Sequence, residues 1–152
     1  MTRPFTAVTI ANPLIASTRS VDQWVTAVAE ELGTTDLLYA EVILRSWLHT
    51  LRNRLAPVAV DQFAADLPQD VREMFTAGWD RTAAPANSDA SSYTIRFARS
   101  AGIAVQDVRG AAAAATAAVM RMLPPVEVYK ALDELSPALR VLINPGVVLH
   151  AA

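Results

Sequence analysis

An internal duplication constrains the fold of this chain more than any other feature of its sequence. The segment Trp24–Gly33 aligns with Tyr93–Gly102, which places aromatic over aromatic and glycine over glycine. Further along, Leu55–Val60 aligns with Leu123–Val128 in the same register, apart from a slip of one residue. Self-similarity of this kind indicates repeated units that pack on each other. The chain accordingly divides into a first half, a second half and a linker between them: residues 20–80, 91–145 and 81–90.

Apolar residues at helical spacing predict four α-helices in each half. The first helix, near residues 21–32, carries an apolar stripe that begins with Val21 and Trp24, and Ser20 with Gln23 predicts a capping box at its start. The predicted fold class is therefore all-α, with two pseudo-repeated four-helix units packed as one helical bundle. The other predicted boundaries are caps at Thr34 or Thr35 and at Ser91 or Ser92, starts at Pro57, Pro68, Pro125 and Pro137, and stops at Gly33 and Gly102.

The second and sixth helices, near residues 36–55 and 105–123, differ in bulk. The second helix has large apolar side chains where the sixth has mostly small ones. Because alanine allows two helices to approach closely, we expect the second helix to pack on the sixth in one shared core. The compared residues are Leu44, Trp47, Leu48 and Leu51 against Ala113, Thr116, Ala117 and Met120.

Composition excludes several classes of protein. Of the 152 residues, 53% are hydrophobic, which is incompatible with intrinsic disorder. A net charge of −2 argues against a general nucleic-acid binder. The absence of cysteine excludes disulfides and thiolate chemistry, and no apolar run is long enough to cross a membrane. We expect a cytoplasmic protein without a nucleic-acid or membrane partner, a metal or a cofactor.

Two segments fall outside the repeat, at residues 1–19 and 146–152, and are here called the terminal arms. Their β-branched, alternating character is more typical of extended chain than of helix. Unpaired apolar strands are usually covered, so the arms either pair with each other or lie on a neighbouring chain. We favour self-association or docking on another protein. The predicted contact residues in the arms are Phe5, Val8, Ile10, Leu14, Val148 and Leu149.

The sequence around the end of the first half resembles the bacterial family called domain of unknown function 2267. Leu67-Pro68, Arg72 and Gly78-Trp79 match the family pattern of a Leu-Pro motif, an arginine in the next helix and a Gly-Trp before the linker. The second half echoes it with Leu135, Pro137 and Arg140, although Ser136 replaces the proline after leucine. The resemblance covers about residues 20–145 and implies a tandem helical duplication, with no activity to carry over.

No catalytic pattern stands out among the polar residues. The two histidines, His49 and His150, have no histidine at helical spacing, so neither predicts a metal site. The carboxylates around the Leu-Pro turn could bind a metal or act in acid–base chemistry, but stabilisation of helix ends is the favoured interpretation. The arginines offer a candidate anion site, but structural roles for them are favoured, with Glu41–Arg45 a helical ion pair. The carboxylates are Asp61, Asp66, Asp70 and Glu73, and the arginines are Arg45, Arg52, Arg54, Arg72 and Arg109.

These observations favour a non-catalytic interaction or assembly module, present as a homo-oligomer or bound to a protein partner. The terminal arms and Trp79, which either plugs the gap between the halves or presents its ring to a partner, are the predicted contact residues. The alternative is a small apolar ligand held in a pocket between the halves, under the linker. Trp47, Phe63 and Trp79 are its predicted lining.

Overall fold

The computed structural model describes residues 19–86 and 89–144, and this part of the chain is all-α, as predicted. The terminal-arm residues from Phe5 to Leu14, and Val148 and Leu149, lie outside the described residues. The described helices are α1 (Ser20–Leu32), α2 (Leu37–Arg52), α3 (Pro57–Ala65), α4 (Gln69–Thr76), α5 (Ala90–Ala101), α6 (Val108–Met122), α7 (Pro125–Leu132) and α8 (Pro137–Ile143), with a single 3₁₀ turn (Val105–Asp107) before α6.

Prolines and glycines set several helix ends where the sequence predicts them. Pro57, Pro125 and Pro137 occupy the first turns of α3, α7 and α8, where the missing amide hydrogen costs nothing. Gly33 and Gly102 end α1 and α5 with φ of 74° and 68°, a left-handed conformation that glycine adopts without strain. The corresponding predictions are confirmed.

The predicted cap of α1 is wrong. Ser20 lies inside the helix, after Arg19, and no side chain of the N-cap residue accepts a hydrogen bond. Instead, the Val21 amide donates to Asp70 Oδ2 over 2.9 Å, from a residue 49 positions away. A carboxylate from α4 therefore caps α1, so that tertiary packing replaces the local capping box.

Aspartates also replace the predicted caps of α2 and α5. Asp36 accepts from the Tyr39 amide, while the Thr34 hydroxyl accepts from the Asp36 amide. Asp89 accepts from the Ser92 amide, so Ser92 supplies a donor and not the cap. In both cases the aspartate is the last residue with extended backbone before the helix, which is the N-cap position.

Helix α6 lies against α1 more extensively than against α2. The expected α2–α6 contact is present, and Trp47 Nε1 donates to Thr116 Oγ1 over 2.9 Å. However, Ala113 and Ala117 are only half-buried, because α1 covers a neighbouring face of α6. One hydrophobic cluster extends through both halves. The fully buried alanines of that face are Ala111, Ala112, Ala115 and Ala118.

Arg72 and Arg140 occupy matching places in the two halves. Arg72 donates to the carbonyls of Ala64 and Leu67, each over 2.9 Å. Arg140 donates to the Leu135 carbonyl over 3.0 Å. Each arginine therefore ties its helix to the end of the preceding one. The wider equivalence of residues 20–80 and 91–145 stays a prediction.

Candidate functional site

Two clefts open where the first half meets the second. One, here called the α2–α5 pocket, lies between the C-terminal parts of α2 and α5 and has a volume of about 300 Å³. The other, here called the α3–α7 groove, has a volume of about 490 Å³. The residues of the α2–α5 pocket are His49, Thr50, Arg52, Asn53, Arg54, Ala86, Arg96, Arg99 and Ser100.

The two helices of the α2–α5 pocket are joined by small polar side chains. Ser46 Oγ and Ser100 Oγ lie 2.9 Å apart across the helix contact. The Ala86 amide donates to the Asn53 carbonyl over 2.7 Å, which brings the linker to the rim of the pocket. Helix packing and the linker together therefore fix the shape of the pocket.

Arg52 is 6% exposed and holds the end of α4. Its Nη1 donates to the carbonyls of Phe75 and Ala77 over 3.0 and 2.8 Å, and its Nε donates to Asn53 Oδ1. Burial lowers the pKa of the Arg52 guanidinium, because removal from water penalises the charge. Arg52 is thus a buried cation whose hydrogen bonds go to neutral acceptors.

Arg54 lies deeper in the same pocket, at 5% exposure. Its guanidinium carbon is 5.2 Å from the centre of the Tyr93 ring, and Nη1 donates to the Thr50 carbonyl over 3.1 Å. The Arg54 Nε and the Tyr93 hydroxyl are both buried, with no hydrogen-bond partner among the described residues. Burial lowers the pKa of Arg54 and raises the pKa of Tyr93 to about 12.

His49 forms the wall next to Arg52. Its Nε2 lies 2.7 Å from the Met74 carbonyl oxygen and, facing an acceptor, donates the hydrogen bond. Burial lowers the pKa of His49 most strongly, the Met74 hydrogen bond opposes that effect, and Arg52 and Arg45 lower it further. The pocket therefore favours the neutral imidazole.

The α3–α7 groove has the opposite character. Its charged residues are Asp66, Glu127, Lys130 and Glu134. Lys130 Nζ donates to Glu127 Oε1 over 3.1 Å, which lowers the pKa of Glu127. A hydrogen bond to Glu127 raises the pKa of Asp66. The two carboxyl groups thus share a proton more readily than isolated ones would.

The three aromatic residues predicted to line one pocket do not share a cavity. Trp47 is 1% exposed and belongs to the core, with its ring centre 6.5 Å from that of Phe63. Phe63 forms part of the α3–α7 groove. Trp79 is half-buried in a third cavity beside the linker, where Arg81 lies over its ring at 5.5 Å. Trp79 packs against the core.

The carboxylates of the Leu-Pro turn do not converge on one site. Asp70 caps α1, Asp66 faces Glu127, and Asp61 makes two hydrogen bonds of 2.8 and 2.6 Å to Arg81. Within residues 19–86 and 89–144, no three histidine, aspartate or glutamate side chains are arranged to hold a metal ion. No helix in these ranges has the length and apolar character needed to cross a membrane.

Of the arginines considered for an anion site, only Arg52 and Arg54 line the α2–α5 pocket. Arg45 pairs with Glu41 over 2.9 Å, as predicted. Sequence reasoning missed Arg96 and Arg99, which complete the pocket from α5. Their spacing of three residues on one predicted helix was the available signal. Nothing in the sequence indicated that this face meets the end of α2.

Comparison with known proteins supports the resemblance read from the sequence. A search of curated proteins gives no match. The family described as an uncharacterized conserved protein, DUF2267, matches residues 21–142 and so covers all eight described helices except their outermost residues. The chain therefore belongs to the DUF2267 family.

Proposed function

We propose that the chain is a non-catalytic assembly module that binds a second copy of itself. One observation carries the proposal: Leu37 and Leu38, adjacent in the first turn of α2, are 53% and 78% exposed. On the same helix, Ala40, Ile43 and Leu44 are fully buried. Burying a leucine side chain contributes about 1.5–3 kcal/mol, so this pair is a favourable contact for a partner.

The surroundings of the leucine pair suit an interface. Val42, half-buried and four residues after Leu38, extends the pair along the same helix face. We call Leu37, Leu38 and Val42 the α2 strip. The Glu41–Arg45 ion pair lies beside it on the exposed side of α2. An apolar centre with a charged rim is the usual arrangement of a specific protein contact.

The terminal arms are assigned to the same contact by their apolar sequence. Phe5, Val8, Ile10 and Leu14 of the first arm, and Val148 and Leu149 of the second, are the proposed residues. A second copy is favoured over an unrelated partner because it supplies both a strip and a pair of arms, so that each surface meets its complement in a closed dimer.

The mass of the full chain in solution tests the proposal. We expect light scattering to give a mass above one chain that falls on dilution, and the double variant Leu37→Ser with Leu38→Ser to give the monomer mass. A matched control is Val58→Ser with Val126→Ser, which changes side chains that are 63% and 55% exposed on α3 and α7. A wild-type chain that is monomeric at every concentration contradicts the proposal.

A truncation separates the arms from the strip. Removal of residues 1–18 and 147–152 should lower the oligomeric mass as well, if the arms contribute. If the truncation alone lowers the mass, the arms form the contact and the α2 strip does not. If only the leucine variants lower the oligomeric mass, the α2 strip forms the contact and the arms do not.

The alternative of a small apolar ligand between the halves has less support from the geometry. Of the predicted lining, only Phe63 reaches the α3–α7 groove, and four of the nine residues that line this groove are charged. Native mass spectrometry of the purified chain tests this alternative, since a retained apolar ligand adds a discrete mass.

A further inference from the structure

The α2–α5 pocket concentrates positive charge to an extent that the rest of the described surface does not. Four guanidinium groups and one imidazole line a cavity of about 300 Å³, and no carboxylate is among the lining residues. Arg52 and Arg54 come from the end of α2, and Arg96 and Arg99 from one face of α5. A chain of net charge −2 has thus gathered about a third of its 13 basic side chains around one cavity.

Three arginines elsewhere in the described residues are paired with carboxylates. Arg45, Arg81 and Arg121 each pair with a carboxylate at 2.9, 2.6 and 2.6 Å. None of the described ion pairs includes an arginine of the α2–α5 pocket. Asp89 raises the pKa of Arg54, but it also serves as the N-cap of α5. Asp89 is one carboxylate beside four guanidinium groups, which keep an excess of positive charge, and burying such charge is costly. The pocket is therefore suited to an added anion.

Arg54 gives a second and independent indication. Its side chain is 95% buried, in the wall of the pocket, and its Nε has no hydrogen-bond partner among the described residues. The bond from its Nη2 to Ser92 Oγ is long, at 3.5 Å. Buried guanidinium groups normally use their donors fully, and unsatisfied donors in a cavity wall are typical of a site without its ligand.

We propose that the α2–α5 pocket binds a small molecule bearing a phosphate group. Several arginines from two helices suit an oxyanion with several acceptor oxygens, because guanidinium donates paired hydrogen bonds to phosphate. Asn53 and Ser100 add neutral donors at the rim. The cavity volume lies at the lower end of the range for small-molecule sites, about 300–1,000 Å³, which leaves room for a short organic portion beside the phosphate.

This site is separate from the proposed self-association, which uses the start of α2 and the terminal arms. The proposed phosphate site is tested by measuring the binding of inorganic phosphate to the full chain with calorimetry at constant ionic strength. We expect one phosphate per chain, and a loss of affinity of about tenfold in each of Arg96→Gln and Arg99→Gln. Both residues are exposed, so their replacement leaves the fold intact. The matched control is Arg109→Gln, an exposed arginine of α6 outside the pocket, which should bind phosphate like wild type.

Three results would overturn the proposal. The first is no saturable phosphate binding by the wild-type chain at millimolar concentrations. The second is an equal loss in the Arg109→Gln control, which would show a general charge effect. The third is tighter binding of a single-stranded oligonucleotide than of phosphate, with a steep salt dependence lost in the same variants, which would assign the arginines to nucleic acid.

Discussion

The two clefts between the halves differ in how their charges are balanced. In the α3–α7 groove, Lys130 donates a hydrogen bond to Glu127, and Glu127 in turn raises the pKa of Asp66. In the α2–α5 pocket, Arg52 and Arg54 face carbonyls, a hydroxyl and an aromatic ring. The groove therefore sets three carboxylates against one ammonium group and repels an anion, whereas the pocket retains positive charge that an anion would compensate.

The comparison also separates structural from ligand-directed arginines. Arg52 has a structural role, because it satisfies carbonyls at the end of α4. Arg96 and Arg99 are exposed and have no such role in the described contacts. One pocket thus combines a buried floor, held in place by the fold, with an exposed rim that is available for binding.

The largest effect is expected from Arg52→Met. The substitution leaves the Phe75 and Ala77 carbonyls without their donor, and hydrogen bonds to charged groups contribute about 1.5–3 kcal/mol. We expect the free energy of unfolding to fall by about 2–3 kcal/mol in urea denaturation. Arg96→Met, at the exposed rim of the same pocket, should change it by less than about 0.5 kcal/mol. Equal losses of unfolding free energy in the two variants would contradict the distinction between the floor and the rim of the pocket.

A smaller loss is expected from Thr116→Val, which changes the contact between α2 and α6. Trp47 Nε1 loses its acceptor, and the Thr116 hydroxyl no longer donates to the Ile143 carbonyl. We expect a loss of about 1–3 kcal/mol, because a buried donor is left unsatisfied. Thr94→Val, whose hydroxyl bonds only within α5 at a half-buried position, is the control. If both variants unfold like wild type, this contact between the halves does not contribute to stability.

His49 should make stability depend on pH. Burial lowers its pKa in the folded state below the unfolded value of about 6.5. The unfolded chain then binds the proton more readily than the folded chain does. The contribution of neutral His49 to the free energy of unfolding is therefore complete above pH 6.5 and is lost as the pH falls towards the folded pKa. His49→Gln, which retains an amide donor for Met74, should flatten that part of the profile. An unchanged slope in urea denaturation across this range would contradict the assignment.

The smallest effect on stability is expected in the α3–α7 groove. Glu127→Gln removes the carboxylate that raises the pKa of Asp66, so that pKa should fall towards its ordinary value in a carboxyl NMR titration. Because Asp66 is exposed and the half-buried Glu127 pairs with an exposed lysine at the surface, thermal unfolding should be nearly unchanged at neutral pH. Glu134→Gln, in the same groove, is the control and should leave Asp66 unaffected. If the pKa of Asp66 does not move, the charges of the groove are independent of each other.

Much of the fold could be predicted because local chemistry determines it. Pro57, Pro125 and Pro137 begin helices, and Gly33 and Gly102 end them, through backbone preferences that act within a single turn. The cap of α1 could not be predicted, since its acceptor on Asp70 comes from another helix. Likewise, the extensive contact of α6 with α1 depends on packing that periodicity alone does not specify.

The candidate site was less accessible to sequence reasoning. Arg52 and Arg54 were among the arginines considered, but Arg96 and Arg99 reach the pocket only because α5 lies against the end of α2. Trp47, Phe63 and Trp79 have the apolar character of a pocket lining, yet the fold uses Trp47 in the core. Residue type alone does not distinguish a buried side chain from one that lines a cavity.

The α2–α5 pocket keeps an excess of positive charge, while the α3–α7 groove, with three carboxylates and one ammonium group, is acidic. Titration of the full chain with inorganic phosphate, followed by amide ¹H–¹⁵N NMR, tests both clefts at once. We expect saturable shifts at residues 49–54 and 96–100 and none at residues 127–134. Shifts spread evenly over the exposed arginines, or confined to the α3–α7 groove, would contradict this expectation.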